Sequence, residues 1–139
     1  MVENHFKILI MQHNIARNPN VMYSCLEIAK ESIADFVLVQ EPWIETDDNN
    51  VVYTISHPSY HCILPTIVSN IRPRVSIYAR KQSKFSFCQR TDLTLDSDIL
   101  IIDISGPKME PFHLINIYNE KSLDPDLNST NYIVERSLQ

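Results

Sequence analysis

The chain opens on an apolar run, residues 6–11, in which Lys7 is the only polar interruption, the pattern of a strand buried on both faces. A few residues on, the spacing changes. Asn18 followed by Pro19 marks a helix start, because the asparagine side chain can cap free backbone N–H groups and proline has no N–H to lose in a first turn. Met22, Leu26, Ala29 and Ile33 then recur at helical spacing, with Glu27, Lys30 and Glu31 off that stripe, which predicts an amphipathic helix. Residues 36–39 are a second fully apolar run. Strand, helix, strand is a unit that nearly always crosses over right-handed and pairs its strands in parallel, so both strands should end at one pole.

Beyond Trp43 an acidic loop, residues 45–50, leads into strand-like runs at 51–56, 60–64, 74–80 and 85–90, which read as a β-meander. Residues 98–105 and 112–118 are β-rich and flank the turn residues 106–110, predicting an antiparallel hairpin. A polar stretch, 119–131, precedes a helix expected over 132–138, with Ser129 and Thr130 as cap candidates. No repeat, low-complexity tract or linker interrupts the chain, so residues 1–139 read as a single α/β domain.

Composition narrows the function. With 44% hydrophobic and 21% charged residues the chain should bury a core, while its longest apolar stretches fall far short of the roughly 20 residues a membrane helix needs. The first residues lack a basic leader and a small-residue cleavage site. Cys25, Cys62 and Cys88 are odd in number and widely spaced, which argues against a disulfide framework and for a reducing, intracellular setting, with all three serving as small core residues. In such a setting the glycosylation pattern at Asn128 has no consequence. Gly106 is the only glycine, and this excludes Walker loops, dinucleotide fingerprints and nucleophile elbows, all of which need glycines. His57 and His61 stand four apart, but Pro58 between them points to a turn and strand rather than half a zinc site.

Net charge is −5, yet half of the twelve basic residues, Arg72, Arg74, Arg80, Lys81, Lys84 and Arg90, fall in a segment without any carboxylate. Such a strip can meet nucleic-acid phosphates; its plainer reading is a solvated strand edge.

Two polar signals follow the two parallel strands directly: Gln12-His13-Asn14 and Gln40-Glu41-Pro42-Trp43. Ligands of open α/β sheets gather outside the carboxyl ends of strands, and neighbouring strands lie only about 4.8 Å apart, so Asn14 and Glu41 can converge. Mg2+, with Mn2+ as an alternative, takes one or two carboxylates plus waters and substrate phosphates, and one glutamate at a strand end suffices as its anchor. Without further support, a glutamate after a buried strand such as Glu41 is more often a solvated or helix-capping residue than a ligand. Trp43 beside it suits either stacking on a base or walling the loop.

Several separated segments, agreeing in order along the chain, resemble the endonuclease/exonuclease/phosphatase superfamily. KILIMQHNIAR is similar to that family's first strand and its asparagine, DFVLVQEPW to the second strand and its Gln-Glu pair, and RPRVSIYARK to the next core strand. HLINIYNEKS is similar to the strand that delivers a tyrosine to the scissile phosphate, and the wording is closest to fungal LINE-type (non-LTR) retrotransposons. The resemblance implies a DNase I-like fold, here a partial four-layer α/β sandwich with a mixed β-sheet and flanking helices. It implies a Mg2+-dependent DNA endonuclease in which Glu41 holds the metal, Asn14 supports the carboxylate network and Tyr118 faces the phosphate, and it implies nuclear action as the nick that primes reverse transcription.

The departures from that pattern also carry weight. Asn119-Glu120-Lys121 replaces the family's Pro and Asn after the tyrosine, and Ala16 stands where abasic-site repair enzymes have an Asp. The Gly-Asp-x-Asn and Ser-Asp-His segments, which supply the water-orienting Asp and the His-Asp pair, are absent, since Gly106 precedes Pro107 and no histidine has a Ser-Asp lead-in. Catalytic groups that act as a unit fail together, so the expectation is a truncated domain inactive by itself. A sheet left uncovered would self-associate or take a protein partner. The alternative from another class is a non-enzymatic binding or regulatory protein on the same scaffold; a phosphatase or nuclease of different substrate fits the wording less well.

Overall fold

The computed structural model describes residues 7–66 and 71–119. The chain runs from β1 (Ile10–Asn14) through α1 (Pro19–Glu31) to β2 (Phe36–Gln40). Asn18 starts the helix as its position predicts, its Oδ1 accepting from the N–H groups of Asn20 at 3.0 Å and Val21 at 3.2 Å. The buried stripe is Met22, Cys25, Leu26 and Ala29. Ile33, predicted to extend it, instead lies past the Ser32 cap with a left-handed φ of 59° and is 60% exposed. The two strands pair in parallel with Asn14 opposite Gln40. All five residues of β2 are buried, but β1 starts later than the apolar run suggests and ends in exposed Gln12, His13 and Asn14. An edge strand has one neighbour, so its polar end reaches solvent.

β3 (Ile44–Thr46) and β4 (Val52–Thr54) form a hairpin, so the predicted acidic loop is shorter than residues 45–50. Its turn is organised by Asp47, whose Oδ1 accepts from the N–H groups of Asn49 and Val51, both at 2.9 Å, while Asn50 takes a left-handed φ of 61°. β5 (Tyr60–Ile63) and β6 (Val75–Arg80) join the first two strands in a mixed sheet of order β1-β2-β6-β5. β7 (Ser86–Gln89), β8 (Ile99–Ser105) and β9 (Phe112–Ile117) make a separate antiparallel sheet, with the predicted hairpin between β8 and β9. The runs from 51 to 90 therefore do not form one meander but divide among three sheets. Alternation identifies a strand; it does not say which neighbour the strand takes.

Parity along each strand sorts the core into layers. Val37 and Val39 face α1 and pack with Met22, Leu26, Ala29, Tyr60 and Tyr78. Phe36 and Leu38 face the other way and, with Val75, Ile77 and Ala79, pack on Leu100, Ile102 and Ile104 of β8. Helix, mixed sheet and antiparallel sheet are thus stacked. On the outer face of the antiparallel sheet, Ile99 and Ile101 lie against Leu93 and Ile117, and Ile115 is 43% exposed. No helix covers that face among the described residues, so three of the four expected layers are present there. No helix among them is long and apolar enough to cross a membrane.

The expectation that all three cysteines are core residues is corrected at two of them. Cys25 is a core residue, but Cys62 and Cys88 are exposed, because β5 and β7 are edge strands. At the β8–β9 tip the left-handed residue is Lys108, with a φ of 58°. Gly106 serves a close approach, since a Cβ there would lie 2.8 Å from Met109 Sδ and 3.0 Å from the Phe85 ring. The start of the first apolar run and the helix expected at 132–138 lie outside the described residues.

His57 sits in a turn before β5, as expected, and is buried. Its Nδ1 accepts from Ser59 N–H at 3.1 Å, which leaves Nε2 to donate to Glu27 at 2.7 Å and ties α1 to the loop. That bond is the first cause holding the Glu27 carboxyl below its ordinary value of 4.5.

Two outcomes follow. Ile33→Gly should stabilise the fold by about 0.5–1 kcal/mol, because removing the left-handed Cβ penalty of roughly 1–2 kcal/mol outweighs the added chain entropy, and urea unfolding measures it. A depressed carboxyl contributes stability present above its unfolded value and lost as pH falls through the lower folded one. The Tm profiles of the wild type and Glu27→Gln should therefore differ at about pH 7 and converge as pH falls below the ordinary carboxyl range; a constant gap would contradict the pairing.

Candidate active site

The parallel strands end side by side, and the loops after them are locked together by main-chain hydrogen bonds. Ile15 N–H donates to Gln40 O, Arg17 N–H to Glu41 O and Glu41 N–H to Arg74 O, each at 2.9 Å. Ala16, Arg17 and Glu41 all adopt left-handed φ, at 52°, 60° and 50°. Each such conformation costs an L-residue on the order of 1–2 kcal/mol, and it persists only where surrounding bonds over-determine it. Glu41 is held by both neighbouring strands, and its half-buried side chain reaches the end of the second sheet.

There Tyr118, just past β9, donates its hydroxyl hydrogen to Glu41 Oε1 at 2.9 Å. Tyr118 N–H donates to Asp98 O at 2.8 Å, and the Arg74 guanidinium lies 4.7 Å from the centre of its ring. Arg74 in turn grips Asp98 with two bonds, Nε to Oδ1 at 2.7 Å and Nη2 to Oδ2 at 2.6 Å. A continuous path thus links Glu41, Tyr118, Arg74 and Asp98 across the two sheets. Beneath it, the buried Asn116 of β9 donates through Nδ2 to Val39 O at 3.0 Å and Ser76 O at 2.9 Å, and accepts from Gln40 Nε2 at 2.5 Å.

Of the residues the sequence singles out, Glu41 and Tyr118 meet directly. Asn14 is one strand away, opposite Gln40 and in phase with Ile10, whose side chain packs in the inter-sheet core. Its Oδ1 accepts from Ala16 N–H at 2.9 Å, and no hydrogen bond joins it to Glu41 among the described residues. Trp43 packs on the helix-side core and stands edge-on to Tyr53 at 6.1 Å, which makes it a wall.

The basic strip is divided. Arg72 donates to Ile44 O, Arg74 pairs with Asp98, Arg80 pairs with Asp35 at 2.8 Å, and Arg90 pairs with Asp92 at 2.7 Å and Asp103 at 2.8 Å. The carboxylates missing from that segment come from elsewhere in the chain. Lys81 and Lys84 are exposed, the latter 5.4 Å from the Phe85 ring centre. Arg72 and Arg74 precede β6 on the Glu41 side, while Arg80 and Lys81 lie at its far end.

Sequence reasoning misses Asn116 and the Arg74–Asp98 pair. A signal for the first exists: Asn116 is in phase with Phe112 and Leu114, the inward positions of β9, so a polar residue sits where an apolar one belongs. The pair had none, since 24 residues separate its members.

The donors suit one kind of cation. Tyr118 takes one Glu41 oxygen, and no cationic side chain pairs with the carboxylate among the described residues. No group of three His, Cys, Asp or Glu residues gathers among them, which does not fit a zinc cage. A single carboxylate at a strand end, open to water and phosphate, fits Mg2+.

Among solved structures the chain is similar to the endonuclease domain of TRAS1, a telomere-specific non-LTR retrotransposon, with a TM-score of 0.69 and 17% identity over 94% of this chain. The fold is that of a retrotransposon endonuclease domain. The chain spans 52% of the TRAS1 structure's length. No protein-family profile matches it, and no curated protein does.

Asn116→Ala should cost about 3 kcal/mol in urea unfolding, because it orphans two buried carbonyls and the Gln40 amide at roughly 1–3 kcal/mol each. A loss under about 1 kcal/mol would mean that the seam does not depend on this side chain.

Proposed function

We propose that these residues are the metal-anchoring half of a DNA endonuclease of the LINE-type retrotransposon class, one that hydrolyses a phosphodiester to nick target DNA in the nucleus. The observation that carries this reading is the Tyr118–Glu41 hydrogen bond, formed where the two face-packed sheets present their strand ends together. Glu41 offers one carboxylate oxygen to Tyr118 and keeps the other for Mg2+ or Mn2+. A divalent ion there supplies Lewis-acid neutralisation of phosphate charge and a more acidic bound water.

The rest is done by side chains. Tyr118 is clamped by Arg74 over its ring, and its one hydroxyl hydrogen goes to Glu41, so it fixes the orientation of the carboxylate beside the phosphate. Asn14 spends its carbonyl oxygen on Ala16, so its Nδ2–H groups remain as donors at the pole. The Arg74–Asp98 pair carries no net charge, which places Arg74 as a support for the tyrosine rather than as a free phosphate clamp. Neither the Gly-Asp-x-Asn nor the Ser-Asp-His segment is present, so turnover requires groups that this stretch does not carry. A second reading, a binding or regulatory protein on this scaffold, draws on the outer face of the antiparallel sheet, where exposed Ile115 adjoins Ile99 and Ile101 and where self-association would occur.

Two measurements test the proposal. Mn2+ titration followed by electron paramagnetic resonance should show a site lost in Glu41→Ala; equal binding by both proteins would overturn the metal assignment. In a Mg2+-dependent plasmid-nicking assay the chain alone should be silent. A polypeptide supplying the two absent segments in trans should restore nicking, with Glu41→Ala at least about 100-fold slower and Tyr118→Phe about 10-fold slower.

A further inference from the structure

At the pole opposite Glu41, the C-terminal end of α1, the end of β6 and the turn before β5 enclose a cavity of about 390 Å3. Small-molecule sites run from roughly 300 to 1,000 Å3, so the space suits a compact ligand. Every charged residue lining it is a cation: Lys30, Arg80 and Lys81, with Ser59 and Gln82 adding neutral polar groups. The surrounding bonds fix this arrangement. Arg80 N–H donates to Asp35 O at 2.9 Å and its Nη2 to Asp35 Oδ1 at 2.8 Å, while its Nε is enclosed without a partner among the described residues. Lys81 N–H donates to Ser59 O at 2.9 Å, joining two walls of the cavity.

Charge then decides what the cavity takes. Asp35 offsets one of the three cations, and Glu27, one helical turn before Lys30, feels the charge of that lysine. Neither Lys30 nor Lys81 has a salt bridge among the described residues, so the lining stays cationic in a chain of net charge −5. A helix C-terminus ordinarily repels anions through its free carbonyls. Here those of Ile28, Ala29 and Lys30 accept from the N–H groups of Ser32, Ala34 and Ile33, at 2.9, 2.9 and 3.1 Å, which blunts that repulsion. Glu41 lies six positions of nearly extended chain beyond Asp35, roughly 20 Å away, so this is not an extension of the strand-end pole.

We infer that the cavity formed by Lys30, Arg80 and Lys81 is a binding site for a phosphate dianion, either free or at the end of a nucleotide. Two lysines supply mobile point charges, Arg80 a fixed planar donor, and Ser59 and Gln82 neutral hydrogen bonds to the remaining oxygens.

The test is a titration of the 15N-labelled chain with inorganic phosphate, with adenosine monophosphate, and with a short oligonucleotide with or without a 5′-phosphate. Saturable shifts centred on the amides of Ser59, Lys81 and Gln82, with a Kd of about 10 mM or tighter, are expected. The Lys30→Gln/Lys81→Gln double variant should bind at least about tenfold more weakly, while Lys108→Gln at the far hairpin and Glu41→Ala should bind as the wild type does. Equal binding of phosphate and monophosphate assigns a free phosphate; tighter binding of the nucleotide or the phosphorylated oligonucleotide assigns a chain end. No shift with any probe, equal binding by the double variant, or binding independent of the 5′-phosphate would overturn the inference. Because the Glu41→Ala control removes the metal anchor alone, failure here and failure of the endonuclease reading are separable.

Discussion

A polar side chain buried between two apolar sheets must recover inside the protein each hydrogen bond it gave up in water, and Asn116 does so by reaching from β9 into the backbone of β2 and β6. Hydrophobic contact alone would let the sheets slide, since Leu100, Ile102 and Ile104 can pack on Phe36, Leu38 and Ile77 in more than one offset. Three directed bonds at 2.5–3.0 Å do not allow that freedom. Two residues further on, in phase with Asn116, comes Tyr118. The offset that satisfies the amide is therefore the one that brings the tyrosine hydroxyl to Glu41. Stability and site geometry share a cause at this seam.

The near-absence of glycine sharpens the same point. Loops that turn back on a sheet often use residues with positive φ, and with Gly106 committed to a close contact, the described residues adopting them are Ala16, Arg17, Ile33, Asn50, Lys108 and Glu41. Asn50 and Lys108 lie at hairpin turns and Ile33 past a helix end. Ala16, Arg17 and Glu41 gather at one place, where the hydrogen bonds joining the two loops hold them. Strain concentrated where three main-chain bonds fix a half-buried carboxylate is the arrangement expected of a preorganised site, because a freely rotating glutamate would relax away from it.

The elements whose character depends on near neighbours in sequence were legible. The Asn18 cap, the α1 stripe up to Ala29, the buried β2 and the hairpin around residues 106–110 all follow from local spacing. Pairing between distant runs was not legible. β6 lies between β2 and β5, although 34 residues separate Gln40 from Val75, and no alternation in either run encodes that adjacency. The candidate site divides along the same line. Asn14 and Glu41 could be placed at one pole because β1 and β2 are consecutive strands joined by one helix, whereas Tyr118 was singled out only through the resemblance to a family, as a phosphate-facing residue, and its bond to Glu41 across 77 positions had no signal. The basic strip shows the converse: a run of cations without local carboxylates looks free, until folding brings Asp98, Asp35 and Asp103 to Arg74, Arg80 and Arg90.

That neutralisation separates the two ends of the first sheet. At the Glu41 end the bridging cation, Arg74, is matched by Asp98, and no cationic side chain pairs with the Glu41 carboxylate among the described residues, so that carboxylate can take a cation. At the other end Asp35 is matched by Arg80, and every charged residue lining the cavity is a cation, so it is suited to an anion. Surface pairs contribute little to stability, on the order of 0–1 kcal/mol, but Asp98 and Asp35 are both buried and must be paired if they are to remain charged. Their partners are consumed by that requirement. What remains at each end is the charge the fold has no structural need to cancel, and it is that remainder which can act on a ligand.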